Sequence, residues 1–416
     1  MRLTFSPLLL AAVLAAATHA HAADAAIAEP AAGMKICEAF GDGFFYSPGS
    51  DTCIKIGGYV EFGTSFGDTD FGYYNRTYPG SAWSNFFTEI SLQITASSIT
   101  EYGDLTGFLD FRAQTNNSGS FSESFTQIVN SETNSGYVDT AWLSLGPLKA
   151  GYDTSLFDFG RGYTDTGGFG SDTTSDHIQL TYAAAGWTLA GSIEDQRDRG
   201  GAGNISGILE ENGLYATGGQ DNIPDIVGAV SYASGLFSGK LAAAYVNNAV
   251  SITGKGSAQD PFIGSPQTGW AIGGSAELAL DMFAKGDRLF FTAAYGDNAN
   301  AYTGIAGGTS VANTGGLFDN EIASLASGTS TSVLASYKHL WTPALWSAIT
   351  ASYADYDGAH NFDGYRLDAW RGVFSTSWSP VKNLELMLDG NYSHISDNGE
   401  DGSAWAVNLW MKRLWE

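Results

Sequence analysis

The residues best placed to do chemistry are five aspartates and one arginine in DTSLFDFGRGYTDTGGFGSDTTSD, residues 153–176. Asp153, Asp158, Asp165, Asp172 and Asp176 recur through it, with Arg161 as its one cation. Carboxylates gathered along a confined passage attract cations and set which ions enter. Asp also caps turns and bonds loop amides, so part of the set has a purely local use. Catalytic patterns are weak by comparison. Gly63-Thr64-Ser65-Phe66-Gly67 matches G-x-S-x-G, but a nucleophile elbow needs a helix after the turn, and here a loop follows. His177, His339, His360 and His394 are scattered without metal-ligand spacing. Asp397, Glu400 and Asp401 lack an EF-hand pattern and read as a solvated loop. These residues point to no enzyme, no cofactor and no metal.

The aspartate stretch is too long for a hairpin turn, and both its flanks read as strands. The strand pattern is clearest in IKIGGYVEF, where Ile54, Ile56, Val60 and Phe62 share one face and Lys55, Gly57, Tyr59 and Glu61 the other. Comparable segments lie near 54–66, 84–98, 103–115, 137–146, 147–154, 176–185, 186–195 and 223–234. Eight more lie near 236–248, 268–282, 286–297, 331–341, 345–356, 366–379, 382–395 and 403–415. Long connections (67–83, 116–136, 196–222, 249–267, 298–330) alternate with tight ones such as Gly146-Pro147, Ala185-Gly186 and Pro380-Val381. A soluble sandwich does not sort its loops this way, and a propeller would repeat at about 40 residues. The expected fold is all-β: a transmembrane antiparallel up-and-down β-barrel of 16 strands, with its third long loop folded inward.

Composition agrees with this. The chain has 416 residues, 44% hydrophobic, with 53 glycines, 13% aromatics and only 15% charged residues. Its mean hydropathy is −0.08, as expected when one strand face is apolar and the other small and polar. A formal net charge of −25 excludes a basic nucleic-acid-binding surface. Arg2, the apolar run Leu8 to Ala17 and Ala20-His21-Ala22 together read as a cleavable export signal. The expected division is a signal peptide at 1–22, a spacer and cysteine loop at 23–53, and the barrel at 54–416. After export Cys37 and Cys53 either close a loop or remain two buried thiols; a bridge there is worth about 3 kcal/mol.

Alternation also says which charges face inward. In LTGFLDFRAQT, Leu105, Leu109 and Phe111 take the lipid side, leaving Asp110, Arg112 and Gln114 inside. By the same reasoning Lys55, Glu61, Glu89, Lys149, Arg371, Glu385 and Lys412 face the lumen. The same charge facing lipid at mid-depth would cost about 2–4 kcal/mol. Basic wall residues opposite an acidic loop would set up a transverse field that polar solutes tolerate and apolar solutes do not. Aromatics at strand ends, among them Tyr102, Tyr182, Trp187, Trp341, Trp378 and Trp405, suit interfacial girdles.

Several segments resemble the alphaproteobacterial outer-membrane general porin family, of the Rhizobiales type. CEAFGDGFFYSPGSDTCIKIGGYV is similar to that family's opening, and LKAGYDTSLFDF to the approach to its third loop. YKHLWTP and SWSPVKNLEL resemble two of its turns, in family order. The resemblance implies a Cys37–Cys53 disulfide, a constriction loop from Ser155 to Ser175, a homotrimer and passive diffusion of small hydrophilic solutes. Such a barrel's partners are outer-membrane lipid and lipopolysaccharide, with no nucleic acid. The charge balance implies a preference for cations. One departure is that Trp415 is followed by Glu416, where these barrels usually end on an aromatic residue. Alternative expectations are a solute-specific channel with a sugar track of Tyr59, Phe108 and Trp142, or an adhesin acting through the long loops.

Overall fold

A strand with one apolar face can stand in hydrocarbon only if its backbone groups are all paired, which forces the sheet to close on itself. The computed structural model describes residues 36–69, 83–115, 135–199, 223–253, 263–304, 328–357, 366–397 and 400–415. A two-residue strand, β1 (Phe45–Tyr46), precedes sixteen long ones. These are β2 (Cys53–Thr69), β3 (Trp83–Thr100), β4 (Gly103–Gln114), β5 (Ser135–Leu145), β6 (Leu148–Thr154) and β7 (Thr174–Ala184). Next come β8 (Trp187–Glu194), β9 (Asp225–Ala233), β10 (Phe237–Thr253), β11 (Ile263–Ala279) and β12 (Arg288–Asp297). The last five are β13 (Thr329–Thr342), β14 (Leu345–Asp357), β15 (Arg366–Val381), β16 (Leu384–Asp397) and β17 (Glu400–Trp415).

From β2 onward each strand pairs antiparallel with the next, and β17 returns to pair with β2, setting Lys412 opposite Glu61 and Trp415 opposite Gly58. The result is a closed sixteen-stranded antiparallel barrel. All sixteen expected strands are present, with shifted ends. The largest change is at the β10–β11 connection, expected at 249–267, where β10 runs on to Thr253 and β11 starts at Ile263; the β11–β12 turn, expected at 283–285, occupies 280–287. Two aspartates widen it: Asp281 accepts the Gly286 amide at 2.7 Å, and Asp287 accepts the Leu340 amide at 3.2 Å. The expected leader (1–22), most of the long loops 67–83, 116–136, 196–222 and 298–330, His360 and Glu416 lie outside the described residues. Among the described residues no helix is long and apolar enough to cross a membrane.

The two faces of the wall differ as the alternation requires. Outward rows carry exposed Phe62, Leu143, Ile178, Leu241, Ile349 and Phe374, flanked by Tyr102, Tyr182, Trp187, Trp341 and Trp378 near strand ends. Inward rows on β13–β16 are small and polar, with Ser332, Ser336, Thr350, Ser375 and Ser393 all buried. On β10–β12 the inward row is mostly alanine: Ala242, Ala244, Ala271 and Ala294, packed with Leu156, Phe157 and Tyr302. Before the barrel, Cys37 and Cys53 are joined in a disulfide with their Cα atoms 5.9 Å apart, and Phe45 pairs with Ile54. The side chain of Lys55 lies alongside Gly43 of this segment.

Candidate functional site

The segment between β6 and β7, residues 155–173, leaves and returns side by side, with the Ser155 amide donating to the Thr173 carbonyl at 2.9 Å. Beyond this root it bonds inner-row side chains of distant strands. The Tyr163 amide donates to Ser336 Oγ at 3.0 Å, and the Tyr163 hydroxyl to Glu277 Oε2 at 2.6 Å. Thr164 Oγ1 meets Thr350 Oγ1 at 2.8 Å, and the Asp165 amide donates to Ser375 Oγ at 2.9 Å. Thr166 donates to Asp389 through its amide at 3.2 Å and its hydroxyl at 2.6 Å. The Phe169 amide donates to Ser352 Oγ at 3.0 Å. Arg371 Nη1 donates to the Gly167 carbonyl at 3.0 Å, and its guanidinium stacks 4.8 Å from the Phe169 ring. The segment thus runs along β11 and β13–β17.

Local sequence permits this close approach. A Cβ on Gly168 would collide with Leu334 and Ser352, so only glycine lets the backbone lie flat here. Short hydroxylated side chains on the wall leave room for the segment and accept its amides, which would otherwise be unpaired.

The six charges expected in the loop divide by use. Asp153 lies on β6 and pairs with Lys149. Asp176 lies on β7 in the outward row with Ile178 and Leu180, and its amide donates to Asp198 at 2.7 Å. Asp158 accepts the Thr173 amide at 2.7 Å and the Ser171 hydroxyl, and burial pushes its carboxyl up. Arg161 and Asp172 form an ion pair. Asp165 is exposed and accepts the Trp410 indole N–H at 3.0 Å. Asp165 and Asp172 are therefore the loop carboxylates presented to solvent, while Asp158 serves the fold of the loop.

The wall from β17 through β2 to β6 carries most of the other expected charges. Lys412 Nζ is 2.7 Å from Glu61 Oε2, across the seam that closes the barrel. Arg112 Nη2 is 2.9 Å from both Asp110 and Asp139. Glu89 accepts the Tyr59 hydroxyl at 2.5 Å and the Tyr137 hydroxyl at 3.3 Å. Phe108 stacks on Trp142 with ring centroids 5.6 Å apart. Lys412 lies 4.6 Å from the Tyr59 ring and 4.5 Å from Trp410, and Lys149 lies 6.0 Å from Trp142. Arg371 stands apart on β15, buried beneath the loop segment.

Sequence reasoning missed three residues. Asp389, fully buried, is the main acceptor for the loop tip, and its inward position on β16 follows from the same alternation that placed Glu385. Asp139 sits where the β4–β5 register shifts, which alternation does not foresee. Arg199, beyond the end of β8, has no periodic signal at all.

Comparison with known proteins fits this architecture. Residues 24–411 match the family model described as Porin subfamily. A putative outer membrane protein, y4fJ, of Sinorhizobium fredii is 36% identical over 176 residues, covering 40% of this chain and 48% of that protein. Porin Omp2b of Brucella suis is 34% identical over 240 residues, covering 54% of this chain and 60% of that protein. The chain thus spans about half the length of the curated relatives it matches. In fold it is similar to the outer membrane channel DcaP of Acinetobacter baumannii, with a TM-score of 0.63 and 14% identity over 89% of this chain and 99% of that one. It is also similar to OmpT of Vibrio cholerae in its trimer form, with a TM-score of 0.50 and 10% identity over 88% of this chain and 100% of that one. The resemblance seen in the sequence motifs is borne out: this chain belongs to the porin family and is a multi-pass β-barrel protein of the outer membrane.

Proposed function

We propose that the chain forms a passive, water-filled channel for small hydrophilic solutes and ions, narrowed by residues 155–173 and favouring cations. The observation that carries this reading is the hydrogen bonding of that segment to inner-row side chains, from Glu277 on β11 to Asp389 on β16. Solutes then pass between its exposed side and the wall of β17 and β2–β6. Charge balance there supports cation preference. Lys149, Arg112, Arg161 and Lys412 each have a carboxylate within ion-pair distance. Among the described residues Glu89, Asp165 and Glu385 have no cation that close, while Lys55, Lys338 and Arg371 have no carboxylate that close, so the preference for cations rests on the exposed Asp165 of the segment and on the chain's net charge of −25.

A sugar track fits less well, because Lys412, Arg112 and Lys149 lie over the Tyr59 and Trp142 rings on which a sugar would stack. A homotrimer is proposed by analogy, since the similar OmpT was solved in a trimer form. Its outward apolar rows would face acyl chains and lipopolysaccharide. The export signal at 1–22 stands as part of the same proposal.

The test is the reversal potential in a KCl gradient across a planar bilayer, for the parent and for D165N/D172N. A cation-favouring potential that falls in the variant supports the proposal. An anion-favouring or unchanged potential contradicts the selectivity, and absence of conductance contradicts the open channel.

A further inference from the structure

The root of the 155–173 segment is held by a residue outside both the segment and the strands. Arg199 closes the short turn Gln196–Arg199 after β8, and it is only 6% exposed. Its Nη2 donates to Ser155 Oγ on the outgoing arm and to Glu194 Oε2 at 3.2 Å. Its Nη1 reaches the returning arm, at Ser171 Oγ (3.2 Å) and Thr173 Oγ1 (3.3 Å). One planar fork therefore joins both arms of the root to β8. Lysine, a single point donor, cannot reproduce that geometry.

Two neighbours complete the arrangement. Glu194, 1% exposed, accepts Ser155 Oγ and Ser192 Oγ at 2.7 Å each and the Leu156 amide at 3.0 Å. On the other side the Tyr302 ring lies 3.8 Å from the Arg199 guanidinium, and its hydroxyl donates to Asp225 on β9 at 2.6 Å. Phe157 meets the same ring edge-on at 5.0 Å. Gly304 touches Gly170 so closely that a Cβ there would collide with the carbonyl. Glu194, Arg199, Tyr302 and Asp225 thus bind β8, β9 and the turn after β12 to the loop root. The β7–β8 and β8–β9 ladders have their own backbone hydrogen bonds, so barrel closure does not need this cluster.

We propose that Arg199 is a positioning residue for permeation: it fixes the root of residues 155–173 and thereby sets where Asp165 and Asp172 stand in the passage. This rests on reading that segment as the constriction. Removing the guanidinium leaves the buried Glu194 carboxylate without its counter-charge and releases the returning arm at Ser171 and Thr173 from β8, so the segment shifts within an intact barrel.

The test uses the full chain in planar bilayers under a KCl gradient. Heat-dependent electrophoretic mobility and circular dichroism report the fold. R199M is expected to lose most of the loop-dependent reversal potential and to show a noisy open-channel current, with R199K recovering part of each. S171A/T173V, which removes the acceptors on the returning arm and keeps the Arg199–Glu194 pair and the Ser155 contact, is expected to move both readouts the same way by less. A folded R199M with parental potential and noise overturns the proposal. If R199M does not assemble, parental behaviour of S171A/T173V overturns it instead. A shift in D165N/D172N without any effect of the Arg199 variants defeats this inference alone. No effect in either set defeats the constriction reading as well.

Discussion

The two sides of the barrel interior are built from different amino acids. On β13–β16 the inward row where residues 163–169 bond directly to it is mostly short, with Ser336, Thr350, Ser352 and Ser375 beside Leu334, Arg371 and the buried acid Asp389. On β17 and β2–β6 the inward row is large and charged: Tyr59, Glu61, Glu89, Arg112, Trp142, Lys149 and Lys412. The difference teaches what a wall needs where a segment hydrogen-bonds along it. A covered wall needs short hydroxyls that satisfy loop amides without filling space, whereas a wall facing water bears charge at little cost.

The comparison is broken most strongly by filling the covered side. Gly168→Leu places a side chain where Leu334 and Ser352 already sit, an overpacking worth about 1–3 kcal/mol, and should drive the segment off the wall. Single-channel conductance should fall sharply while the barrel still folds; unchanged conductance would mean the segment does not border the passage. Asp389→Ala comes next, because it strands Thr166, Ser375 and Asn408 donors at about 1–3 kcal/mol. Limited proteolysis should then cut within 160–170, where the parent resists.

Smaller effects belong to the facing wall. Lys412→Met leaves Glu61 without its partner and should make the reversal potential more cation-favouring with little change in conductance. An unchanged potential would put the Glu61–Lys412 pair outside the permeation path. The smallest effect on the pore should come from Cys37→Ser/Cys53→Ser. Losing that bridge costs about 3 kcal/mol in the chain-entropy picture, so the unfolding midpoint should drop with conductance and selectivity unchanged.

Much of this contrast was legible in the chain. Alternation placed Glu61 and Lys412 inward and Val60 and Phe62 outward, because a strand has only two faces and lipid tolerates one kind of side chain. Asp389 was equally legible in LELMLDGNYS, where Leu386 and Leu388 mark the outer row. The loop charges were not. Whether an aspartate faces water, as Asp165 does, or is spent on an amide, as Asp158 is, depends on partners the local sequence does not contain. Arg199 is the extreme case: its ring partner Tyr302 and its acceptors Ser155 and Thr173 meet only once β6–β12 have closed.

The contrast between walls is tested most directly by single cysteines probed with a bulky charged thiol reagent during current recording. Glu61→Cys and Arg112→Cys represent the facing wall, Ser336→Cys and Ser375→Cys the covered one; the native cysteines are tied in their disulfide. Stepwise block at Glu61→Cys and Arg112→Cys, with no change at Ser336→Cys and Ser375→Cys, is the predicted result. Equal block on both walls, or block on the serine side alone, would contradict a passage bounded by residues 155–173.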